Sequence, residues 1–404
     1  MEQIIKQIDR GWLEGAAKTI TFIVTKDCQL ACKYCYLVGK NENERMSFDT
    51  AKAVIDYVLD NREFFNEQSV IWEFIGGEPF IEIELIDKIC DYIKTQMFVK
   101  NHHWFNSYRF NFATNGINYH TVKVQEFIKK NWTHLSIGIT IDGTKIKHDI
   151  NRIFKGSGKG SYEDVLANIP LWLKQFPTAG TKVTISSADI PYIRESVLHL
   201  YSLGIHEVNI NVVYEDVWTD GDDAKFEEQL LLLADDIIDN GYYKDYVCSF
   251  YTENIGKPMD SHSDNRNWCG AGRMLSIDAA GNFYPCTRFA QYSLRSKKAR
   301  MIGNIHDGID RNKVRPFIVL DRIVQSPVEC VNCEVASGCG WCQGENYDIS
   351  ETGTICQRSI AICKMHKARV RANNYYWNKL YRKLELEGES KDSIRKRKHN
   401  PSIC

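Results

Sequence analysis

Thr25-Lys26-Asp27-Cys28-Gln29-Leu30-Ala31-Cys32-Lys33-Tyr34-Cys35-Tyr36 decides how the rest of the chain reads. It follows a β-rich apolar run at residues 20–24 and precedes the first clear helical pattern at 48–62. In a barrel, a loop at the C-terminal end of a strand is where active sites are built. Three thiolates on one short loop can hold three irons of a cubane [4Fe–4S] cluster and leave the fourth iron without a protein ligand. A cluster that only transfers electrons normally takes four cysteines. The open iron is a place for a substrate or cofactor to coordinate. A structural zinc site is the plainer alternative, but zinc wants a fourth ligand and usually paired spacings.

Outward from this loop, further strand candidates lie at residues 70–75, 109–113, 135–141, 182–186 and 207–213, with helical patterns at 48–62, 82–96, 162–176 and 193–203 between them. Short apolar runs alternating with apolar residues three and four apart are the signature of βα units around a parallel sheet. The runs read as continuous more than alternating, which suits a sheet covered on both faces. Six units are too few for a closed eight-stranded barrel. The expected fold is therefore α/β, a partial (β/α)6 barrel over residues 19–240, after an N-terminal extension at 1–18. An acidic helix at 222–239 leads to a polar linker at 241–268. A β-hairpin is expected at 274–278 and 283–286, around Ala279-Ala280-Gly281-Asn282. A terminal helix is expected at 357–386, closing a cysteine-rich domain at 269–387, with a basic polar tail at 388–404.

The 404 residues carry 51 Lys plus Arg against 52 Asp plus Glu, a balance that gives no argument for nucleic acid. No apolar run is long enough to span a membrane, and residues 1–17 lack the apolar core of a signal peptide, so a cytoplasmic protein is expected. In a reducing compartment, 14 cysteines point to metal or redox chemistry rather than disulfides. Three fall at Cys28–Cys35 and eight between Cys269 and Cys363, which implies two separate cysteine-based regions. Cys90, on an apolar helical stripe with Ile86, Ile89 and Ile93, reads as core, as does Cys248, and Cys404 as a bystander.

The three-then-two spacing of Cys28, Cys32 and Cys35 resembles the radical S-adenosylmethionine superfamily. There the open iron chelates the cofactor's methionine group, and reductive cleavage yields a 5′-deoxyadenosyl radical that abstracts hydrogen. The resemblance implies a packing role for Tyr34 at the adenine side. It also implies that Gly76-Gly77-Glu78-Pro79, after the second strand, approaches the cofactor's amino group. Asn115, in Thr114-Asn115-Gly116, and Ser186 stand at strand ends where such enzymes meet the cofactor, though each reads equally well as a strand-end turn or cap. Asp142-Gly143 with His148, Asp149 and Arg152 downstream is similar to peptide-modifying members.

The later set, Cys269, Cys286, Cys330, Cys333, Cys339, Cys342, Cys356 and Cys363, resembles the seven-cysteine SPASM extension, which carries two auxiliary [4Fe–4S] clusters. By that pattern Cys269, Cys286 and Cys342 hold the first auxiliary cluster, and Cys330, Cys333, Cys339 and Cys363 the second. The resemblance thus implies three [4Fe–4S] clusters with S-adenosyl-L-methionine. Two departures stand out. The step from Cys339 to Cys342 is one residue short, and Cys356 is extra, either a fourth ligand of the first auxiliary cluster or a free thiol. A pair of zinc ribbons is the plainer reading of Cys330-x-x-Cys333 and Cys339-x-x-Cys342.

Within this superfamily, residues 340–344, 363–369 and 372–376 resemble maturases that join a cysteine sulfur to carbon in Cys-rich ribosomal peptides, forming a thioether. Anaerobic sulfatase maturases, which make formylglycine from Cys or Ser, are the alternative. In those an Asp follows the second cysteine of the extension as catalytic base. Here Thr287 stands there, and a hydroxyl cannot take up a proton near neutral pH. The expected partners are a Cys-containing precursor peptide, a reductant such as flavodoxin or ferredoxin, and a separate leader-binding protein. A multi-cluster electron carrier without a substrate is the reading from another class.

Overall fold

The computed structural model describes residues 17–40, 43–259 and 269–390. Most of the N-terminal extension, the end of the linker and the basic part of the tail, all expected from sequence, lie outside the described residues. All six expected parallel strands are present as β1 (Ala17–Thr25), β2 (Ser69–Gly76), β3 (Tyr108–Thr114), β4 (Leu135–Ile139), β5 (Thr181–Ile185) and β6 (Glu207–Val212). The first four pair in parallel in sequence order, and β5 pairs with β6, which carries the short β7 (Val247–Cys248) on its far side. Between β4 and β5 the ladder stops. Thr181 bridges that seam with its side chain, its hydroxyl accepting from Ile141 N at 3.1 Å and donating to Ile139 O at 2.8 Å.

Helices follow the strands: α1 (Phe48–Asp60), α2 (Ile83–Val99), α3 (Val122–Asn131), α4 (Lys145–Asn151), α5 (Tyr162–Leu166), α6 (Ile169–Gln175) and α7 (Ile193–Ser202). Ser47 caps α1, its hydroxyl accepting from Thr50 N at 2.9 Å. One helix was expected at 162–176, but the structure has two. Pro170 lacks the N–H that would continue the first, and Asn168 at the break turns its amide to Gly116 O at 2.9 Å. Cys90 is buried in α2 beside Ile86, Ile89 and Ile93, and Cys248 is buried in β7.

The strands alternate more than the sequence reading expected. Phe22, Phe74 and Phe112 stack across β1, β2 and β3 at 5.6 and 5.3 Å, and Phe112 meets Phe127 of α3 edge-on, so that face lies under the helices. The opposite face is polar. Register places Thr21, Glu73, Asn111 and Ser136 in one row across β1 to β4. A packed barrel fills its interior with branched aliphatic residues; here that row carries hydrogen-bonding groups instead.

Beyond β6 come the acidic helix α8 (Asp222–Asp239), the hairpin β8 (Leu275–Ile277) and β9 (Asn282–Tyr284), then β10 (Gly303–Asn304) and β11 (Gly308–Ile309). The remaining helices are α9 (Arg311–Val319), α10 (Arg322–Gln325), α11 (Val328–Val331), α12 (Gln343–Ile349) and α13 (Cys363–Leu386). β8 adds to the free edge of β1 in parallel, so the hairpin continues the barrel's own sheet. The terminal helix begins at Cys363 rather than at 357. It lies along α8, where Tyr375 and Lys379 reach Asp235 at 2.7 and 2.8 Å, and it buries Tyr376 against Tyr251 with ring centroids 4.3 Å apart. Among the described residues no helix is long and apolar enough to cross a membrane.

Phe74 sits at the centre of the aromatic stack and is fully buried. Phe74→Ala is expected to destabilise the protein by about 3–5 kcal/mol through lost burial and the cavity left behind, read as a lower urea midpoint with unchanged slope.

Candidate functional site

The cysteine loop leaves β1 at Thr25 and is held from three sides. Asp27 N donates to Thr25 Oγ1 at 3.1 Å and Cys28 N to Asp27 Oδ1 at 2.9 Å, which turns the chain sharply. The end of β2 then clamps it: Gly77 N donates to Thr25 O and Glu78 N to Asp27 O, both at 2.9 Å. A Cβ on Gly76 would run into Thr25 O, and one on Gly77 into Asp27 O. These glycines are required by the meeting of two backbones. On the other flank Ala31 N donates to Ile153 O at 2.8 Å and Lys155 N to Gln29 O at 2.8 Å.

Glu78 is buried and both its oxygens are engaged. Oε1 accepts from Phe80 N at 3.0 Å and Thr114 Oγ1 at 2.7 Å, and Oε2 from Asn115 N at 2.7 Å. Burial raises its pKa, while these hydrogen bonds pull it back toward the charged form. Pro79 opens the 3-10 turn that follows. Asn115 joins the loop from β3, its amide nitrogen 3.0 Å from Gln29 Oε1 and 3.9 Å from Cys28 Sγ.

Tyr34 projects from the loop to donate its hydroxyl hydrogen to Asp142, and Arg152 Nη1 donates to the same phenol oxygen at 3.0 Å. Burial works to raise the Asp142 pKa, but Lys147 and Arg152 together hold it below its ordinary value. His148 is neutral: burial first, then Arg152, push its pKa down to about 3. Its Nδ1 accepts from Asp142 N at 3.2 Å, which leaves the proton on Nε2, 3.0 Å from Ser161 Oγ. Asp149 accepts from Tyr162 N at 2.9 Å and pairs with Lys145. Ser186 is a cap. Its backbone and hydroxyl both donate to Asp189 Oδ2, at 2.8 and 2.7 Å, in a capping box.

Burial raises the Cys28 thiol pKa to about 11, opposed in part by the Leu30 amide, which lies 3.3 Å from its sulfur. Cys32 is raised by burial and by Cys35. Among the described residues no three His, Cys, Asp or Glu side chains are grouped so as to hold a single metal ion. The trio's donors are all soft sulfurs, with Lys40 and Arg152 acting on Cys32 to favour thiolate. That donor set fits an iron–sulfur centre better than a closed zinc site, which needs four tetrahedral ligands.

Several of the C-terminal cysteines lie near enough to act on one another's thiols. Burial and then Cys342 raise both Cys269 and Cys286, and Cys269 also acts on Cys286. Cys363 acts on both Cys330 and Cys339, and Cys333 acts on Cys330. Tyr214 stands just after β6, near Gly340. Cys342, Cys269 and Cys339 all act on its phenol, and its ring packs on the backbone of Gly340. Cys356 is the exposed cysteine of the described set.

Residues 13–161 match the model of a family described as a 4Fe-4S single cluster domain. An uncharacterized protein of Methanocaldococcus jannaschii is 28% identical over 301 residues, covering 74% of this chain and 91% of its own. The radical SAM cyclopropyl synthase TigE of Paramaledivibacter caminithermalis is 19% identical over 91% of this chain and 76% of its own. Native anSMEcpe with bound AdoMet and Cp18Cys peptide superposes with a TM-score of 0.64 at 18% identity, over 92% of this chain and 99% of that one. Streptococcus suis SuiB bound to precursor peptide SuiA gives 0.56 at 14% identity, over 85% and 78%. The fold is of the radical SAM, SPASM type.

In that fold the sequence reading missed Glu73. It stands on β2 in the polar row, accepting from Thr21 Oγ1 at 2.8 Å and Asn111 Nδ2 at 3.1 Å. A charged residue inside the apolar run 70–75 was the available signal. It is close enough to act on the phenol of Tyr36, which follows Cys35 and is hydrogen-bonded to Thr287 from the SPASM side. The Arg288 guanidinium lies 5.0 Å over the Tyr36 ring.

The exposure of Cys356 predicts its chemistry in the iron-loaded protein. Iodoacetamide should label Cys356 while the trio and the other C-terminal cysteines between Cys269 and Cys363 stay protected, as read by peptide mapping. Protection of Cys356 would make it a ligand.

Proposed function

We propose that this chain is a radical SAM peptide maturase that joins a cysteine sulfur of a ribosomal precursor peptide to a carbon of the same peptide. The observation that carries the enzyme reading is the Cys28–Cys35 loop, clamped at the strand ends, which carries three cysteine sulfurs on one short segment. Cys28, Cys32 and Cys35 would hold a [4Fe–4S] cluster and leave one iron for S-adenosyl-L-methionine. When bound, that pair supplies a hydrogen-abstracting organic radical. The protein supplies position and electrostatics.

Gly76, Gly77, Glu78 and Pro79 would line the cofactor's amino-group side, with Glu78 fixing the Asn115 backbone. Tyr34, tied to Asp142 and Arg152, would line the adenine side, and Ser186, which caps the turn after β5, would stand at the same rim. Cys269, Cys286 and Cys342 would hold the first auxiliary cluster, leaving room for a peptide thiolate at its fourth iron, and Cys330, Cys333, Cys339 and Cys363 the second. Cys356 stays free. A one-electron reductant of the flavodoxin or ferredoxin type and a separate leader-binding protein complete the partners.

Making a thioether requires the cysteine S–H to lose its proton. Thr287 cannot accept it, and its side chain is already bonded to Tyr36. Glu73 is the carboxylate of the polar row, held by two donors that leave it lone pairs to spare. We assign it the base role. Glu73→Gln should keep reductant-dependent release of 5′-deoxyadenosine but lower peptide product by about a hundredfold or more. Undiminished product would remove Glu73 from the mechanism.

Mass spectrometry of a coexpressed cysteine-containing precursor tests the bond formed. Loss of two hydrogens with one cysteine closed to alkylation is the expected result. Loss of two hydrogens with every cysteine open would mean a carbon–carbon bond, and an aldehyde in place of Cys or Ser would mean formylglycine; either outcome overturns the thioether reading.

A further inference from the structure

Each C-terminal cysteine group has an arginine beside it, half-buried at the first and buried at the second, and the two are differently neutralised. At the first, Arg288 acts on Cys342, but its Nη2 lies 2.9 Å from Glu215 and 2.8 Å from Glu345. Arg295 reaches Glu345 at 2.6 Å and Asp348 at 3.0 Å in the same network. Three carboxylates therefore surround two guanidinium groups. At the second, Arg358 is 8% exposed and aims Nη2 at Cys339 Sγ, 3.1 Å away. Its other contacts are neutral: Ser326 Oγ at 3.3 Å, Gly340 O at 3.5 Å and the Trp341 ring at 6.0 Å. Among the described residues Arg358 has no carboxylate partner.

Two further features add positive potential to the second group. Arg322 is buried, donates to Ala336 O at 3.0 Å and acts on Cys339. Cys363 is the first residue of the 24-residue helix α13, at its electropositive end. Glu329 opposes them at Cys330 from a solvent-exposed position. Positive charge and a hydrogen bond to a ligand sulfur both stabilise the more negative, reduced state of an iron–sulfur centre, and so raise its potential.

Resting on the three-cluster reading above, we propose that Arg358 is a positioning residue that sets the redox order of the auxiliary pair, holding the second group's centre at the higher potential. One electron left on the first centre by bond formation then passes to the second, oxidising the first and reducing the second. From there it leaves to a one-electron carrier protein. Cys342 and Cys269 of the first set and Cys339 of the second all act on the Tyr214 phenol.

The test is an EPR-monitored redox titration of full-length, iron-loaded protein in a Cys28→Ala, Cys32→Ala, Cys35→Ala background, which leaves only the auxiliary centres. Two potentials are expected. Arg358→Met should shift the higher one down and leave the other unmoved, and Arg358→Lys, which keeps the charge, should restore most of the shift. Unmoved potentials in Arg358→Met, both potentials moving together, or loss of iron from one centre in both variants would overturn the proposal. If the background protein holds fewer than two centres before Arg358 is changed, the three-cluster reading itself fails.

Discussion

Two backbone hydrogen bonds, Gly77 to Thr25 and Glu78 to Asp27, hold the cysteine loop against the end of the neighbouring strand. They form only because neither Gly76 nor Gly77 carries a Cβ. Once the loop is fixed there, the rest follows in sequence. Glu78 is brought under the β3 end, where Thr114 and the Asn115 amide bind it, and Asn115 in turn reaches Gln29 and the vicinity of Cys28. The loop, with three cysteines on a short segment, is thus braced from β2 and β3.

The cysteine-rich segment is built onto the same sheet. β8 pairs with β1 at Ile20, Thr21 and Phe22, the strand that feeds the cysteine loop. Arg288 crosses back to Glu215 behind β6 and to Glu345 on α12, joining the two ends of the barrel fragment through the SPASM part. The terminal helix α13 then lays its basic residues along the acidic α8. Such exposed pairs contribute little each; the buried Tyr376 and Leu380 stripe does more. On the polar face of the same sheet, Glu73 stays beside Thr21 and Asn111.

Much of this was legible in the sequence. The strand runs, the hairpin around Gly281 and the acidic helix stand within a few residues of where periodicity puts them, because each is a local pattern. The division of Cys269, Cys286 and Cys342 from Cys330, Cys333, Cys339 and Cys363 is what the resemblance implies, since spacing alone allowed paired zinc ribbons. The polar interior was not. Glu73 becomes a site residue only when register sets it beside Thr21 and Asn111, which no single strand encodes. The same holds for Arg358, whose meeting with Cys339 depends on how a loop folds back over 19 residues. Ser186 shows the converse: a residue picked for a ligand is engaged by its own helix start.

A cubane with one exchangeable corner, carried by the loop at Cys28, Cys32 and Cys35, is what the proposed chemistry requires first. Mössbauer spectroscopy of ⁵⁷Fe-loaded protein, with both auxiliary groups removed by Cys→Ala substitution, measures that directly. A single [4Fe–4S] centre in which one iron site changes its isomer shift when S-adenosyl-L-methionine is added is the predicted result. Zinc at this loop, or four iron sites indifferent to the cofactor, would contradict it.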